Sequence, residues 1–179
     1  MRSEPARAGA GGPVLIVVSG PPGTGKTTLA HRVARGVGCP AICRDEIREG
    51  IVHAGTPDRS MRRTYDAFFD ALGVLLRAGS TVVAEAAFQD RLWRPILSPL
   101  AGLAAIRVLR CVTDPAVARD RITRRLAEPG RTAHGDREYL QRVPAEWEPV
   151  SLDVPALLVD TGDGYRPGLP EIVAFASGR

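Results

Sequence analysis

The chain has 179 residues, with no asparagine and only one lysine, Lys26, against twenty-three arginines. Without asparagine it lacks the Asn-Lys-x-Asp signature by which many GTPases read guanine. Aromatic residues are scarce, nine in all, so the sequence shows no obvious stacking platform for single-stranded nucleic acid. Cysteine is confined to Cys39, Cys43 and Cys111, an odd count without the paired spacing of a structural zinc site. Cys39-x-x-x-Cys43 is only a partial zinc spacing. Cys43 and Cys111 sit in apolar, strand-like runs and read as small buried hydrophobes in a reducing cytosol. No apolar stretch approaches the roughly 20 residues of a membrane span. The run after Pro13 ends at Val18, too soon for a secretory core. These absences predict a soluble, cytoplasmic protein with no membrane partner. Residues 1–12, rich in Gly, Ala and Arg, read as a flexible tail, leaving 13–179 as one domain. The net charge of +4 and pI near 9.4 permit a phosphorylated or nucleic-acid substrate without requiring one.

The single lysine stands in the most informative segment. Gly20-Pro21-Pro22-Gly23-Thr24-Gly25-Lys26-Thr27 fits the P-loop pattern GxxxxGK[ST] in full. Positive charge elsewhere in the chain is carried by arginine. Here a compact ammonium on a flexible stem can follow a phosphate as a point charge. Val14 to Val18 ahead of the loop is a short apolar run that reads as a buried strand, and Thr27 to Val33 reads as the start of a helix. Strand, glycine loop and helix are the context the motif needs. Glycines let the backbone wrap phosphate oxygens, and the helix N-terminus adds its positive dipole end. This pattern predicts ATP bound by Gly20 through Thr28, Lys26 at the β- and γ-phosphates, and the Thr27 hydroxyl on Mg²⁺. A glycine-rich turn without a ligand is the plain alternative.

Strand and helix signals alternate along the chain. Candidate strands are 14–19, 40–44, 81–85, 105–111 and 156–160, and candidate helices are 27–36, 61–78, 90–100, 115–127, 137–147 and 169–176. In the second helix Tyr65, Phe68, Phe69, Leu72, Leu75 and Leu76 recur at helical spacing. The third is interrupted by proline. The fourth follows Asp114 as N-cap, with Pro115 at the first helical position. Five short strands separated by helices predict an α/β fold, a five-stranded parallel sheet with helices on both faces. Such sheets take ligands beyond the carboxyl ends of their strands.

Residues at those ends are therefore the candidates for chemistry. Asp45 follows the second strand, where a carboxylate could accept a proton from an attacking hydroxyl or orient it. It could equally cap a helix starting at Glu46. Arg48, a turn further on, could hold the acceptor or a phosphate oxygen. Glu85 ends the third strand and could hold Mg²⁺ or position the acceptor; the alternative is a cap or an ion pair with Arg91. Arg121 and Arg125 share a helix face, with Arg124 beside them, just before a break at Pro129-Gly130-Arg131. That layout predicts a small arginine-bearing lid over the triphosphate, against the alternative of a solvated basic face. His134 and Asp136 read as ordinary surface. Asp160 to Gly164 could form a loop against adenine or a simple turn.

Together these residues resemble the small P-loop kinases of the zeta-toxin, chloramphenicol-phosphotransferase and polynucleotide-kinase type. The likeness is clearest in Arg44-Asp45-Glu46-Ile47-Arg48, which is similar to the kinase domain of phage polynucleotide 5′-hydroxyl kinase. It extends from Val14 to the last helix. The stretch from Trp147-Glu148-Pro149 to Val159-Asp160-Thr161 resembles AAA-like bacterial ATP-binding proteins. The resemblance implies that Asp45 is the general base, that Arg48 contacts the acceptor, that Arg121 and Arg125 are lid arginines, and that Glu85 stands where an aspartate is more usual.

The leading expectation is an ATP- and Mg²⁺-dependent kinase acting on a hydroxyl of a small molecule or a nucleic-acid 5′-end. The few aromatics and compact chain favour the small molecule. An NTP-driven switch or ATPase motor is the second class. An ATP-binding module without turnover is the third.

Overall fold

The computed structural model describes residues 11–55, 61–127, 140 and 147–178. The strands are β1 (Val14–Ser19), β2 (Ala41–Cys43), β3 (Val82–Glu85), β4 (Ala105–Val112) and β5 (Ala156–Asp160). The helices are α1 (Lys26–Val37), α2 (Arg44–His53), α3 (Arg62–Arg77), α4 (Asp90–Leu100), α5 (Pro115–Leu126) and α6 (Leu169–Ser177). The strands form one parallel sheet in the order β2-β3-β1-β4-β5.

The central strand, β1, is buried on both faces, as its unbroken apolar run requires. Alternate side chains feed two separate cores. Leu15 and Val17 pack with Phe68, Leu72, Phe88, Trp93 and Leu97 beneath α3 and α4. Ile16 and Val18 pack with Leu29, Val33, Val159 and Ile172 beneath α1 and α6. The first core is centred on aromatic rings: Phe88 lies 5.1 Å from Trp93 and 6.0 Å from Phe68, both edge-on.

The strand set agrees with the alternation of sequence signals, with β2 trimmed at both ends. Pro40 precedes β2, and its carbonyl accepts from Val83 N. Helix α4 runs unbroken through Pro95 and Pro99. Both prolines lie on its exposed side, where carbonyls left without a helical partner can reach water. Asp114 caps α5 as expected, accepting from Ala116 N at 2.7 Å. Helix α2 departs from expectation. It begins at Arg44, with Cys43 at the N-cap position, so Asp45 stands inside the first turn rather than ahead of it. The simple capping alternative for Asp45 is thereby removed. The tail over 1–10, the break at Pro129–Arg131, His134, Asp136 and nearly all of the expected helix at 137–147 lie outside the described residues. No helix among the described residues is long and apolar enough to cross a membrane.

Candidate active site

The loop from Gly20 to Gly25 joins the end of β1 to the start of α1, at the centre of the sheet. Its shape depends on glycine. Gly23 has φ +81°, and a Cβ there would stand 2.5 Å from the Ala118 carbonyl oxygen on α5. Gly20 is likewise in the left-handed region, and a Cβ would run into the Cys111 carbonyl. The loop thus nests between β4 and α5 at distances that only a hydrogen at Cα allows.

Lys26 is 6% exposed, and its Nζ donates to the Pro21 carbonyl at 2.8 Å across the mouth of the loop. Thr24 donates to the same carbonyl at 2.8 Å. Burial pulls the Lys26 pKa below its ordinary value. The negative charges of Glu85 and Asp45 oppose that shift, and Arg125 reinforces it. The ammonium is thus buried with two carboxylates and one guanidinium in electrostatic reach.

Glu85 ends β3 beside β1 and is 3% exposed. Its Oε2 accepts from the Thr27 hydroxyl at 3.0 Å. Burial raises its pKa; Lys26 and the Thr27 hydrogen bond counteract, and Asp45 adds to the rise. Neither Arg91 nor a helix cap figures among these effects. Thr27 Oγ1 and Glu85 Oε2 form a pair of hard oxygen donors at the foot of the loop. Their chemistry fits Mg²⁺, which takes one or two protein oxygens and completes its shell with water and phosphate.

Asp45 approaches the same point from α2, close enough to perturb both Lys26 and Glu85. Arg44 forms an ion pair with it. The Arg44 guanidinium lies over the rings of Phe88 and Tyr65, at 5.7 Å and 5.9 Å, and donates to Met61 Sδ at 3.3 Å. A planar cation clamped on two aromatic faces is a rigid support for a carboxylate. Sequence reasoning gave Arg44 no role, because its ring partners come from α3 and from the segment after β3. Arg48 lies one turn further along α2, and its Nε is buried without a hydrogen-bond partner among the described residues.

The arginines of α5 divide. Arg121 turns to the loop after β5, donating to the Thr161 carbonyl at 2.6 Å and the Gly162 carbonyl at 3.1 Å. The Thr161 hydroxyl donates to the Thr24 carbonyl at 2.7 Å, locking that loop onto the P-loop. Arg125 lies on the Lys26 side. Arg124 instead pairs with Asp120 on the exposed face. Beside Arg121 opens a cavity of about 330 Å³ lined by Gly25, Thr28, Arg32, Arg121, Thr161 and Tyr165. Arg32 stacks on Tyr165 at 5.5 Å. Arg32 and Tyr165 were missed from sequence; they stand 133 positions apart and only folding joins them.

A parallel sheet with a complete P-loop after its central strand, an acid ending the adjacent strand and a second acid facing both defines a small P-loop kinase-like protein. The sequence profile of the AAA_33 family, described as an AAA domain, matches residues 15–150, and the chain belongs to that family. An uncharacterised protein of Mycobacterium tuberculosis is 31% identical over 126 residues, spanning 62% of this chain and 25% of its own. The chain thus covers about a quarter of the length of the curated relatives it matches. Among solved structures, a Chloroflexus aurantiacus protein whose kinase role is itself an assignment is 29% identical, with a TM-score of 0.75 over 90% of this chain and 95% of its own. The Mycobacterium tuberculosis APS kinase, solved with AMPPNP and APS, shares the fold at 13% identity, with a TM-score of 0.65 over 92% of this chain and 97% of that one.

Proposed function

We propose that the protein is an ATP-dependent kinase that transfers the γ-phosphoryl group to a hydroxyl of a small molecule. The observation that carries this reading is the convergence of Lys26, Glu85 and Asp45 from three different elements: Lys26 and Glu85 shift each other's ionisation, and Asp45 acts on both. Phosphoryl transfer needs positioning and charge neutralisation more than covalent help from the protein.

In this reading residues Gly20, Pro21, Pro22, Gly23, Thr24 and Gly25 wrap the phosphates with main-chain N–H groups. Lys26 exchanges the Pro21 carbonyl for phosphate oxygens, and Thr27 and Thr28 open the helix beneath them. The cavity beside Arg121, Thr161 and Tyr165 takes the base, with Thr28 on its wall. Thr27 and Glu85 would hold Mg²⁺, which would supply neutralisation of the charge on the phosphate oxygens. The acceptor alcohol enters from the α2 side. Its oxygen attacks the γ-phosphorus, the bond to the β-phosphate oxygen breaks, and ADP leaves. Asp45 takes the alcohol proton, with Arg44 holding the carboxylate in line. Arg48 orients the acceptor. Arg125 adds positive charge beside Lys26 as negative charge shifts toward the leaving group.

The likeness to APS kinase, whose solved complex holds a small-molecule ligand beside the nucleotide analogue, supports a small acceptor over a nucleic-acid 5′-end. The deciding experiment is isotope transfer from γ-labelled ATP to a panel of small hydroxyl compounds, with 5′-hydroxyl oligonucleotides as a separate arm. Labelled small-molecule product is expected. Label on oligonucleotides alone would move the acceptor class to nucleic acid. Fast ATP hydrolysis indifferent to every acceptor would favour an NTP-driven switch. Tight nucleotide binding without turnover would reduce the protein to a binding module.

A further inference from the structure

The chemistry described above leaves unused a group of side chains where α1, the end of β2 and the first turn of α2 meet. His31 lies on α1, one turn beyond Thr27, and Cys43 ends β2. Glu46 stands in the first turn of α2. His31 Nε2 is 2.7 Å from Glu46 Oε1 and 3.8 Å from Cys43 Sγ, and the three potential ligand atoms all lie within 4.8 Å of one another. We infer that His31, Cys43 and Glu46 form a binding site for a zinc-class divalent cation, distinct from the Thr27–Glu85 oxygen pair.

The donor set decides the class of ion. One nitrogen, one sulfur and one carboxylate oxygen suit a borderline-soft metal and not Mg²⁺, which takes oxygen ligands. In a tetrahedral zinc shell, with bonds of about 2.0–2.3 Å, neighbouring ligand atoms lie roughly 3.3–3.6 Å apart. The sulfur–nitrogen separation is already near that value. The carboxylate must draw back from the imidazole by about half an ångström to match the same shell. It is free to do so, since the His31 and Glu46 side chains are 47% and 48% exposed. The same exposure gives the ion a path in and leaves a fourth position for water.

The electrostatics favour a cation. Burial pushes the Cys43 thiol pKa up, and the carboxylates of Glu85, Glu46 and Asp45 push it further, so three acids place negative potential at the sulfur. Binding would exchange the thiol proton for the metal: the S–H bond breaks, an S–metal bond forms, and the proton passes to solvent. Of the partial spacing Cys39-x-x-x-Cys43 only Cys43 takes part, and its partners are a histidine from α1 and a glutamate from α2. A bound ion would tie α1, which begins with Lys26, to α2, which carries Asp45. It would therefore set the gap between the two sides of the proposed active site.

The test uses the full, untagged chain, stripped with chelator and titrated with Co²⁺ alone. The expected result is one equivalent bound, with tetrahedral d–d bands and a thiolate-to-cobalt charge-transfer band that Zn²⁺ abolishes and excess Mg²⁺ leaves intact. Calorimetry in buffers of different ionisation enthalpy should report release of a proton. Cys43→Ser should remove the charge-transfer band and Cys39→Ser should keep it. His31→Gln changes an exposed residue, so folding is not at risk. It should weaken binding at least tenfold and abolish the rise in Tm that Zn²⁺ gives the unsubstituted chain. Absence of the charge-transfer band, its persistence in Cys43→Ser, or its loss on adding Mg²⁺ would each overturn the inference. None of these readouts depends on phosphoryl transfer, so the kinase reading and the metal site can fail separately.

Discussion

At the scale of single residues, the site is a balance of buried charges. Lys26 bonds to its own loop through the Pro21 carbonyl. Triphosphate offers that ammonium a charged partner in place of a neutral one, and charge-assisted hydrogen bonds are the stronger kind. Lys26→Ala should therefore cut turnover by at least about 100-fold while the circular dichroism spectrum stays that of the parent. Asp45→Asn keeps the shape and removes the proposed base, so transfer should slow by roughly 10²–10⁴ with ATP affinity within a few-fold of the parent, as single-turnover kinetics and calorimetry would show. Glu85 makes a prediction in pH. Its pKa is raised above the ordinary 4.5 by burial, so the native state keeps the proton longer than the unfolded chain. Its favourable contribution is present below pH 4.5 and is lost as pH rises through the folded value. Urea unfolding of the nucleotide-free protein should thus show stability falling over that window relative to Glu85→Gln. Parallel curves would mean that Lys26 neutralises the carboxylate fully.

At the scale of elements, helix starts and strand ends do the positioning. β1 delivers the loop and α1 delivers Lys26 and Thr27. β3 delivers Glu85, and the first turn of α2 delivers Asp45. α5 leans on the loop so closely that Gly23 has no room for a methyl group. Gly23→Ala should cost about 1 kcal/mol from the left-handed backbone alone, with more from displacing the Ala118 carbonyl. Because α5 carries both Arg121 and Arg125, the displacement should reach the nucleotide. An ATP affinity reduced at least tenfold by calorimetry is expected, with only a modest fall in Tm. The alternation of five apolar runs with helical stretches was enough to read most of these elements from sequence. The start of α2 was not legible, because no Ser, Thr, Asn or Asp marks it. Cys43 occupies the N-cap position without a side-chain capping bond.

At the scale of the whole molecule, two cores grip one sheet and leave its carboxyl edge to the loops. The described contacts across that edge are largely polar: Thr161 to the P-loop, Arg121 to the loop after β5, Arg44 to Asp45. Nucleotide bridging these loops should stabilise the fold as a unit. At about 100 times its dissociation constant, Mg·ATP should add about 2.7 kcal/mol, a Tm rise of roughly 5–10 °C for a chain of this length. Differential scanning fluorimetry measures it directly. An unchanged Tm at saturating concentration would remove the nucleotide site altogether.

The sequence by itself determined the sheet, the glycine loop and the lysine proposed here to bind phosphate. These are local patterns: an apolar run, a motif of fixed spacing, a helix that must follow it. Only the tertiary structure decided how the candidates meet. It set Arg121 against the loop after β5 and Arg125 within electrostatic reach of Lys26, though the two are four residues apart on one helix. It seated Arg44 on Tyr65 and Phe88, and it brought His31 to Cys43 and Glu46. The physical reason is that a side chain's ionisation and reach depend on neighbours that parallel β-strand pairing and helix packing bring in from distant parts of the chain, and one-dimensional spacing carries no trace of them.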